Sequence, residues 1–271
     1  MEINLFDLNG VNKSPVPGKD FSSKNITFVN QLMKYDGISI FTDKHILKGS
    51  VNGVKSKLKI AWLWEPKVVH PQLYRALKAT HHKYDYILTH DDEVLKLSDK
   101  CICVPTGMTW IPDENRQIFK KSKKVSTIVS KKKYLKGHKL RHELCKVEGV
   151  QKFGNSVKYI KDKTDALRDF RYSVTVENCS INNYFTEKLI DCFVTGTIPV
   201  YWGCANIGKY FNMGGIIMVN NLKDLKKKIA SFTDERYNSA LPAIKDNYNR
   251  ALEYTNMFDW AYKNILKDLD K

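Results

Sequence analysis

Two residues of opposite charge, Glu187 and Lys188, stand side by side in the segment NNYFTEKLIDCFVTGTIPVYWG. The segment predicts a helix that begins near Tyr184 and ends at Gly196, where a positive φ is often required, before a buried strand. In open α/β sheets, ligands collect at the carboxyl ends of strands, and the N–H groups of a first helical turn favour phosphate. A carboxylate accepts hydrogen bonds from a ribose diol, and an ammonium group pairs with a diphosphate. The pair therefore suits a nucleotide, and the alternative is a solvated helix start, where acidic residues are also favoured.

The elements that must position this pair alternate between strands and helices. Apolar runs predict strands at residues 37–43, 60–64, 86–88, 125–130, 169–178, 197–203 and 214–220. Helical spacing appears at residues 70–79 and 136–149, in LKDLKKKIASF, and from Pro242 onward. This alternation predicts an α/β fold with parallel sheets. A polar segment near residues 113–123 separates two βαβ-type halves, so we expect an N-terminal domain at 1–115 and a C-terminal domain at 122–271.

The charge balance predicts an anionic partner. The 271 residues carry 45 Lys and Arg against 29 Asp and Glu, a net charge of +16. Nucleic acid, a membrane surface and a phosphate-bearing small molecule would each satisfy that excess. The densest basic run, from Lys120 to Arg141, is interrupted by VSTIVS, a predicted core strand, so its lysines flank a strand. We therefore expect no nucleic acid partner, and a peripheral membrane contact through the basic face stays open.

Cysteine usage and hydropathy indicate the compartment. The six cysteines form no CxxC pair and no zinc-type spacing, which suits reduced thiols in a cytoplasmic protein. The start, MEINLFDLNG, lacks the basic and apolar regions of a signal peptide, and no segment approaches the ~20 apolar residues of a membrane span. The sequence predicts a soluble cytoplasmic protein.

A longer string, RYSVTVENCSINNYFTEKLIDCFVTGTIPVYWGCANIGKYFN, resembles the donor-binding motif of the α-1,3-fucosyltransferase family. That motif is a strand ending in Glu-Asn, a short loop, Tyr-x-Thr-Glu-Lys, a helix, and a small residue followed by x-Pro-Val/Ile-x-x-Gly. The chain supplies it at residues 177–178, 184–188, 197–200 and 203. A weaker similarity covers VSTIVS and KLRHELCKVEGVQKFGN, and the first half is similar only through IAWLWEP and YDYILTHDDEV.

The resemblance implies a GT-B fold, in which two Rossmann-like lobes flank a donor/acceptor cleft. It implies an inverting glycosyltransferase that moves fucose from GDP-fucose to a hydroxyl of a glycan acceptor. The N-terminal lobe would bind the acceptor and the C-terminal lobe the donor. A transferase using another nucleotide sugar and a non-catalytic nucleotide- or glycan-binding module of the same fold are the alternatives.

Carried over position by position, the resemblance also implies roles for site residues. Arg141 and Lys188 would bind the diphosphate, and Glu187 would bind the ribose. Asn178 and Tyr184 would line the nucleotide pocket.

The family's catalytic base is a Glu that follows an apolar strand of the N-terminal lobe, a context that Glu65 matches. Burial beside Trp62 and Trp64 would raise the pKa of its carboxyl towards the useful range. Its alternative is a Glu that ends an edge strand and pairs with a lysine. Other candidates follow the next strand: His90, Asp91 and Asp92.

We expect no metal or other cofactor beyond the nucleotide-sugar donor. Metal-dependent transferases commonly use an Asp-x-Asp, and the one triplet of that kind is Asp268-Leu269-Asp270. The acceptor and its linkage are not indicated by any motif.

Overall fold

The structure, a computed structural model, describes residues 1–7, 23–155 and 157–269, so Asp270 of the Asp-x-Asp triplet lies outside the described residues. Two compact units are present, and each is built on an all-parallel sheet. The first unit contains the described residues within Met1–Thr106, Asn182–Tyr184 and Asn256–Lys271, and the second those within Gly107–Ile181 and Phe185–Thr255. The predicted α/β class with parallel sheets is confirmed. The domain ranges 1–115 and 122–271 stay a prediction, and the compact units divide the chain at other residues.

The first unit has a six-stranded sheet of order β2-β1-β3-β4-β5-β6. Its strands are β1 (Glu2–Phe6), β2 (Thr27–Asn30), β3 (Lys34–Thr42), β4 (Lys55–Trp62), β5 (Tyr86–Thr89) and β6 (Cys101–Cys103). Its first helices are α1 (Asp43–Leu47), α2 (Pro71–Thr80) and α3 (Asp92–Leu95). The predicted strands at 37–43, 60–64 and 86–88 and the helix at 70–79 are confirmed, although β4 ends two residues early.

Strand β1 was not predicted, because a polar residue interrupts its apolar pattern. Asn4 is fully buried, and its Nδ2 donates to Leu32 O at 2.8 Å and to Ser39 Oγ at 2.9 Å. Its Oδ1 accepts from Leu32 N at 2.9 Å. A buried amide with these partners is tolerated in a sheet interior.

The second unit has a five-stranded sheet of order β11-β10-β9-β7-β8. Its strands are β7 (Lys123–Ile128), β8 (Val150–Phe153), β9 (Phe170–Val176), β10 (Ile198–Trp202) and β11 (Ile217–Met218). Its helices are α4 (Lys136–Leu144), α5 (Glu187–Phe193), α6 (Leu222–Lys228), α7 (Asp234–Ser239) and α8 (Leu241–Leu252). The predicted strands β7, β9, β10 and β11 and helix α4 are confirmed. Strand β8 was missed, because the prediction assigned VQKF to the end of the preceding helix.

Helix α5 begins at Glu187, three residues after the predicted start near Tyr184. Thr186 has extended backbone and its side chain accepts a hydrogen bond from Lys188 N, so it is the N-cap. Gly196 has a φ of 70°, as predicted, and a Cβ there would lie 2.7 Å from Ile118 Cγ2. The pair Glu187 and Lys188 thus occupies the first two positions of the helix.

The chain returns to the first unit after Thr255. Helices α9 (Met257–Ala261) and α10 (Lys267–Leu269) flank a π-helical turn, Tyr262–Leu266. The ring of Phe258 lies 5.4 Å from the ring of Trp62 and 5.6 Å from that of Trp64. Across the described ranges, no helix has the length and apolarity needed to cross a bilayer.

Candidate functional site

Glu177 connects the carboxyl end of β9 to the start of α5. Its side chain is fully buried, and its carboxylate accepts from Thr186 N at 2.9 Å and from Thr186 Oγ1 at 2.7 Å. Lys188 Nζ lies 3.4 Å from Glu177 Oε2. A buried carboxylate is costly unless it is hydrogen-bonded and paired, and this one is both. Glu177 therefore fixes the first turn of α5 against the sheet.

Lys188 lies between two carboxylates. Its Nζ is 3.2 Å from Glu187 Oε1 and 3.4 Å from Glu177 Oε2, and it donates to Thr186 Oγ1 at 2.9 Å. Burial acts to lower the pKa of the Lys188 ammonium, as does the nearby charge of Arg141, yet the two carboxylates outweigh both and raise it. Lys188 is therefore a fixed cation.

Glu187 is the matching anion. Burial acts to raise the pKa of its carboxyl, but Lys188 and Lys163 outweigh burial and hold that pKa below its ordinary value. Lys163 Nζ lies 3.8 Å from Glu187 Oε1. The side chains of Glu187 and Lys188 are 13% and 22% exposed, so they are not the solvated helix start considered as an alternative.

Arg141 of α4 lies at the carboxyl end of β9, the strand that Glu177 follows. It is 6% exposed, and its Nη2 donates to the carbonyl oxygen of Val176, the last residue of β9. Its charge acts on the pKa of Lys188, which places two cations near one strand end. Two cations at one strand end suit a diphosphate.

The start of α4 packs directly on the residues that follow β9. A Cβ at Gly137 would overlap the carbonyl oxygen of Glu177 and lie 2.8 Å from that of Asn178. The Asn178 side chain hydrogen-bonds His138, the next residue of α4. Burial, followed by the charge of Arg141, lowers the pKa of His138 below its ordinary value.

Tyr184, the remaining predicted nucleotide contact, groups with the first unit. It is 2% exposed, and its ring lies 5.1 Å from that of His90. Neighbouring Asn182 donates to Asp92 Oδ2 at 2.7 Å. The structure thus brings Arg141, Glu187 and Lys188 together in the second unit, and the role of Tyr184 stays a prediction.

Glu65 follows β4 by three residues and is half-buried. Tyr74 Oη donates to its carbonyl oxygen at 2.9 Å. Asp43, directly after β3, accepts from Trp64 N at 3.1 Å and from the backbone N–H of Glu65. Burial raises the pKa of the Asp43 carboxyl to about 7, and the charges of Glu65 and Asp7 act in the same direction. Two carboxyl groups therefore lie together at the carboxyl edge of the first sheet.

Asp91 and Asp92, the aspartates among the other base candidates, have structural partners. Asp91 caps α3 by accepting from Glu93 N and Val94 N, each at 3.0 Å. His90 is fully buried, and burial lowers its pKa to about 4. Glu65 stays the predicted base.

Three residues join the site that the sequence did not assign a role. Glu177 and Thr186 belong to the quoted motif, and a Thr before an acidic residue is a recognisable N-cap signal. Lys163 carries no local signal, because only the tertiary fold brings it to α5. The second unit thereby assembles cations, which suit a diphosphate, and a carboxylate that can accept hydrogen bonds from a ribose diol. A site for a nucleoside diphosphate requires these groups.

The comparisons with known proteins identify the family of this chain. Residues 118–265 match the family described as glycosyltransferase family 10 (fucosyltransferase), C-terminal part. The α-(1,3)-fucosyltransferase FucT of Helicobacter pylori is 29% identical over 125 residues, which are 46% of this chain and 23% of that protein. GDP-fucose protein O-fucosyltransferase 3 of Danio rerio is 27% identical over 109 residues, 38% of this chain and 21% of that protein. The chain thus matches less than a quarter of the length of either relative.

Solved structures match over nearly the whole chain. A crystal structure of an α1,3-fucosyltransferase with GDP has a TM-score of 0.58 at 15% identity, covering 98% of this chain and 91% of that one. HepE of Anabaena with UDP-glucose has a TM-score of 0.65 at 11% identity, covering 99% and 100%. At these identities the likeness concerns the fold, which is the GT-B fold of glycosyltransferases. Because residues 118–265 are more than half of the 271 residues, the chain belongs to glycosyltransferase family 10, the fucosyltransferases.

Proposed function

We propose that this chain is an inverting α-1,3-fucosyltransferase that moves fucose from GDP-fucose to a hydroxyl of a glycan acceptor. The observation that carries the proposal is the cluster of Arg141, Glu187 and Lys188 at the carboxyl end of β9. Family membership and the solved α1,3-fucosyltransferases with GDP and with GDP-fucose support the choice of donor.

The donor half of the reaction uses the cations. As the bond between the fucose anomeric carbon and the phosphate oxygen breaks, negative charge grows on the departing GDP. Arg141 and Lys188 stabilise that charge, and each charge-assisted hydrogen bond contributes roughly 1.5–3 kcal/mol. Glu187 accepts hydrogen bonds from the ribose hydroxyls, and Asn178 and Tyr184 line the nucleotide pocket.

The acceptor half requires a base. Glu65 takes the proton from the acceptor hydroxyl while that oxygen attacks the anomeric carbon from the side opposite GDP, which inverts the configuration. Asp43 supports this role, because it accepts from the backbone N–H of Glu65 and fixes the base at the end of β4.

The remaining parts of the proposal concern cofactors, partners and location. Transfer requires no metal, because two side-chain cations serve the diphosphate. The glycan acceptor and the nucleotide sugar are the partners, with no nucleic acid, and a peripheral membrane contact through the basic face stays open. A cytoplasmic location is supported by six cysteines that are all free thiols.

A donor panel tests the proposal. GDP-fucose and GDP should raise the thermal unfolding midpoint more than UDP-glucose or UDP does, and Lys188→Met should abolish that shift. Lys226→Met, which changes an exposed lysine of α6, is the control and should leave it intact. A larger shift with UDP-sugars would indicate a transferase with another donor, and the absence of any guanine-nucleotide effect would refute the donor assignment.

GDP release with candidate glycan acceptors then separates a transferase from a binding module. Glu65→Gln should keep GDP-fucose binding and lose turnover by about two to four orders of magnitude. Turnover that survives the substitution would place the base elsewhere. A wild-type chain that binds GDP-fucose but releases no GDP with any acceptor would be the non-catalytic module.

A further inference from the structure

Lys163 connects the ribose-binding carboxylate to a buried anion behind it. Its Nζ lies 3.0 Å from Asp191 Oδ2 and 3.8 Å from Glu187 Oε1. Glu187 and Asp191 are four residues apart on α5, a spacing that puts both side chains on one face of the helix. One ammonium group therefore serves two carboxylates of the same helix.

Asp191 is fixed on its other side. It is 1% exposed, and its Oδ1 accepts from Thr109 Oγ1 at 2.7 Å and from Trp110 N at 2.8 Å. Burial raises the pKa of the Asp191 carboxyl, and Lys163 acts against that rise. Since a buried carboxylate needs a counter-charge, Asp191 holds Lys163 in one position.

The Lys163 ammonium has a third contact, the ring of Trp110, whose centroid is 4.0 Å away. A cation over a tryptophan face is attracted by the ring quadrupole. The backbone at Lys163 is fixed as well, because Asp162 caps the following turn, Lys163–Ala166, by accepting from Thr164 N at 2.7 Å. The lysine side chain is 17% exposed, and its ammonium group contacts Asp191, Glu187 and the Trp110 ring.

The contact between Lys163 and Glu187 matters because Lys188, the other lysine at Glu187, also binds the donor in the proposed function. In the described state both lysines approach Glu187 Oε1, Lys188 from the same helix and Lys163 from the turn before β9. In the proposed function Lys188 pairs with the diphosphate, so its attraction for Glu187 is shared with the donor. Lys163 has no part in binding the diphosphate, because its ammonium group is held by Asp191 and the Trp110 ring.

We propose that Lys163 is a positioning residue for nucleotide recognition, which keeps the Glu187 carboxylate oriented towards the ribose hydroxyls while Lys188 binds the diphosphate. The inference rests on the proposed function. It assigns a role in recognition of the ribose diol to a residue outside the family motif. An oriented carboxylate binds its ligand more tightly because less side-chain freedom is lost on binding.

Calorimetric binding of GDP and of 2′,3′-dideoxy-GDP tests the role. Wild type should prefer GDP, because only GDP offers hydroxyls to Glu187. Lys163→Met should weaken GDP binding by about tenfold and leave dideoxy-GDP binding unchanged, which removes the preference. Lys163→Arg should restore much of it, and Lys161→Met, an exposed lysine in the same segment, should bind as wild type does.

Unpairing Asp191 could instead unfold the Lys163→Met protein. The double variant Lys163→Met/Asp191→Asn removes the buried charge while an amide oxygen still accepts from Thr109 and Trp110 N, and it too should lose the preference for GDP. The inference is overturned if Lys163→Met and the double variant weaken both nucleotides equally or keep the wild-type preference. A wild type that binds neither nucleotide refutes the proposed function, whereas a wild type that binds both equally refutes only the ribose role of Glu187 and Lys163.

Discussion

Three carboxylates of the second unit, Glu177, Glu187 and Asp191, share two lysines. Lys188 serves the first two, and Lys163 serves the last two. Removing one partner of a buried ion pair leaves a charge that the interior does not solvate. Substitution of either lysine therefore affects folding as well as binding. The stability of each variant without nucleotide must therefore be measured alongside its affinity.

The Asp43 carboxyl gives a pH-dependent stability. Its folded pKa is about 7 against an ordinary 3.8, because of burial first and then the charges of Glu65 and Asp7. The folded state therefore binds the proton more tightly, so this contribution is complete below about pH 4 and is lost as the pH rises towards about 7. Asp43→Asn removes the titrating group. As the pH rises between these values, the free energy of unfolding of the variant should increase relative to that of wild type by on the order of 1–3 kcal/mol.

Urea denaturation of both proteins at about pH 4, 6 and 8 measures this difference. Parallel pH profiles would mean that Asp43 titrates normally. The nearby titratable groups Glu65 and Asp7 are present in both proteins, and because their charges act on Asp43, the measured difference includes that coupling.

The predictability of single residues depended on how local their signals are. Glu187 and Lys188 were identified because a short string carries them, and Arg141 because its helix resembles one of the family. Glu177 was quoted in the motif but given no task, since only the structure places its carboxylate on Thr186. Lys163 and Asp43 act through partners that are distant in sequence. The nearest of these partners of Lys163 in sequence is Glu187, 24 residues away, and that of Asp43 is Trp64, 21 residues away. No spacing rule reaches that far.

The junction between β9 and α4 depends on one glycine, Gly137. Gly137→Ala would push a methyl group into the carbonyl oxygen of Glu177, so α4 or the strand end must move. We expect a loss of about 1–3 kcal/mol of stability from overpacking. We also expect weaker GDP binding, because Arg141 lies one turn further along the displaced helix.

Gly208→Ala is the matched control. A Cβ there would lie 3.4 Å from Met213 Cγ, an ordinary contact. Thermal unfolding and GDP titration should leave this variant close to wild type. A Gly137→Ala protein with wild-type stability and affinity would contradict the tight junction.

Elements with a clear apolar run were predicted, including the short strands β5 and β11, whereas a strand with a mixed composition was not. Strands β9 and β10 are buried along nearly their whole length, which gives a clear sequence pattern. Strand β8 has four residues, two of them polar, and pairs with β7 alone. Such an edge strand owes its conformation to its neighbour rather than to its own composition.

The source of the positive charge at the diphosphate decides whether the proposed reaction requires a metal. Because Arg141 and Lys188 serve the diphosphate in the proposed reaction, GDP release should continue unchanged after treatment with EDTA. The measurement compares initial rates before and after chelation and dialysis. Activity that is lost with EDTA and restored by Mg²⁺ or Mn²⁺ would show that a metal contributes. Untreated enzyme with added Ca²⁺ is a suitable control for nonspecific effects of divalent ions.

The fold class followed from alternating strands and helices, but the path of the chain between the units did not. Asn182–Tyr184 and the residues after Thr255 group with the first unit, although their neighbours in sequence belong to the second. Periodicity describes an element and not its partner, so such returns have no signature in the sequence.

The packing of Phe258 on Trp62 and Trp64 has a consequence for biosynthesis. A ribosome makes residues 107–255 before it makes the aromatic ring that completes the core around the two tryptophans. Domains generally fold in the order of their synthesis. Here that order is reversed, because the unit begun first is finished last. The nascent chain therefore carries two tryptophans without their final packing partner until α9 has emerged.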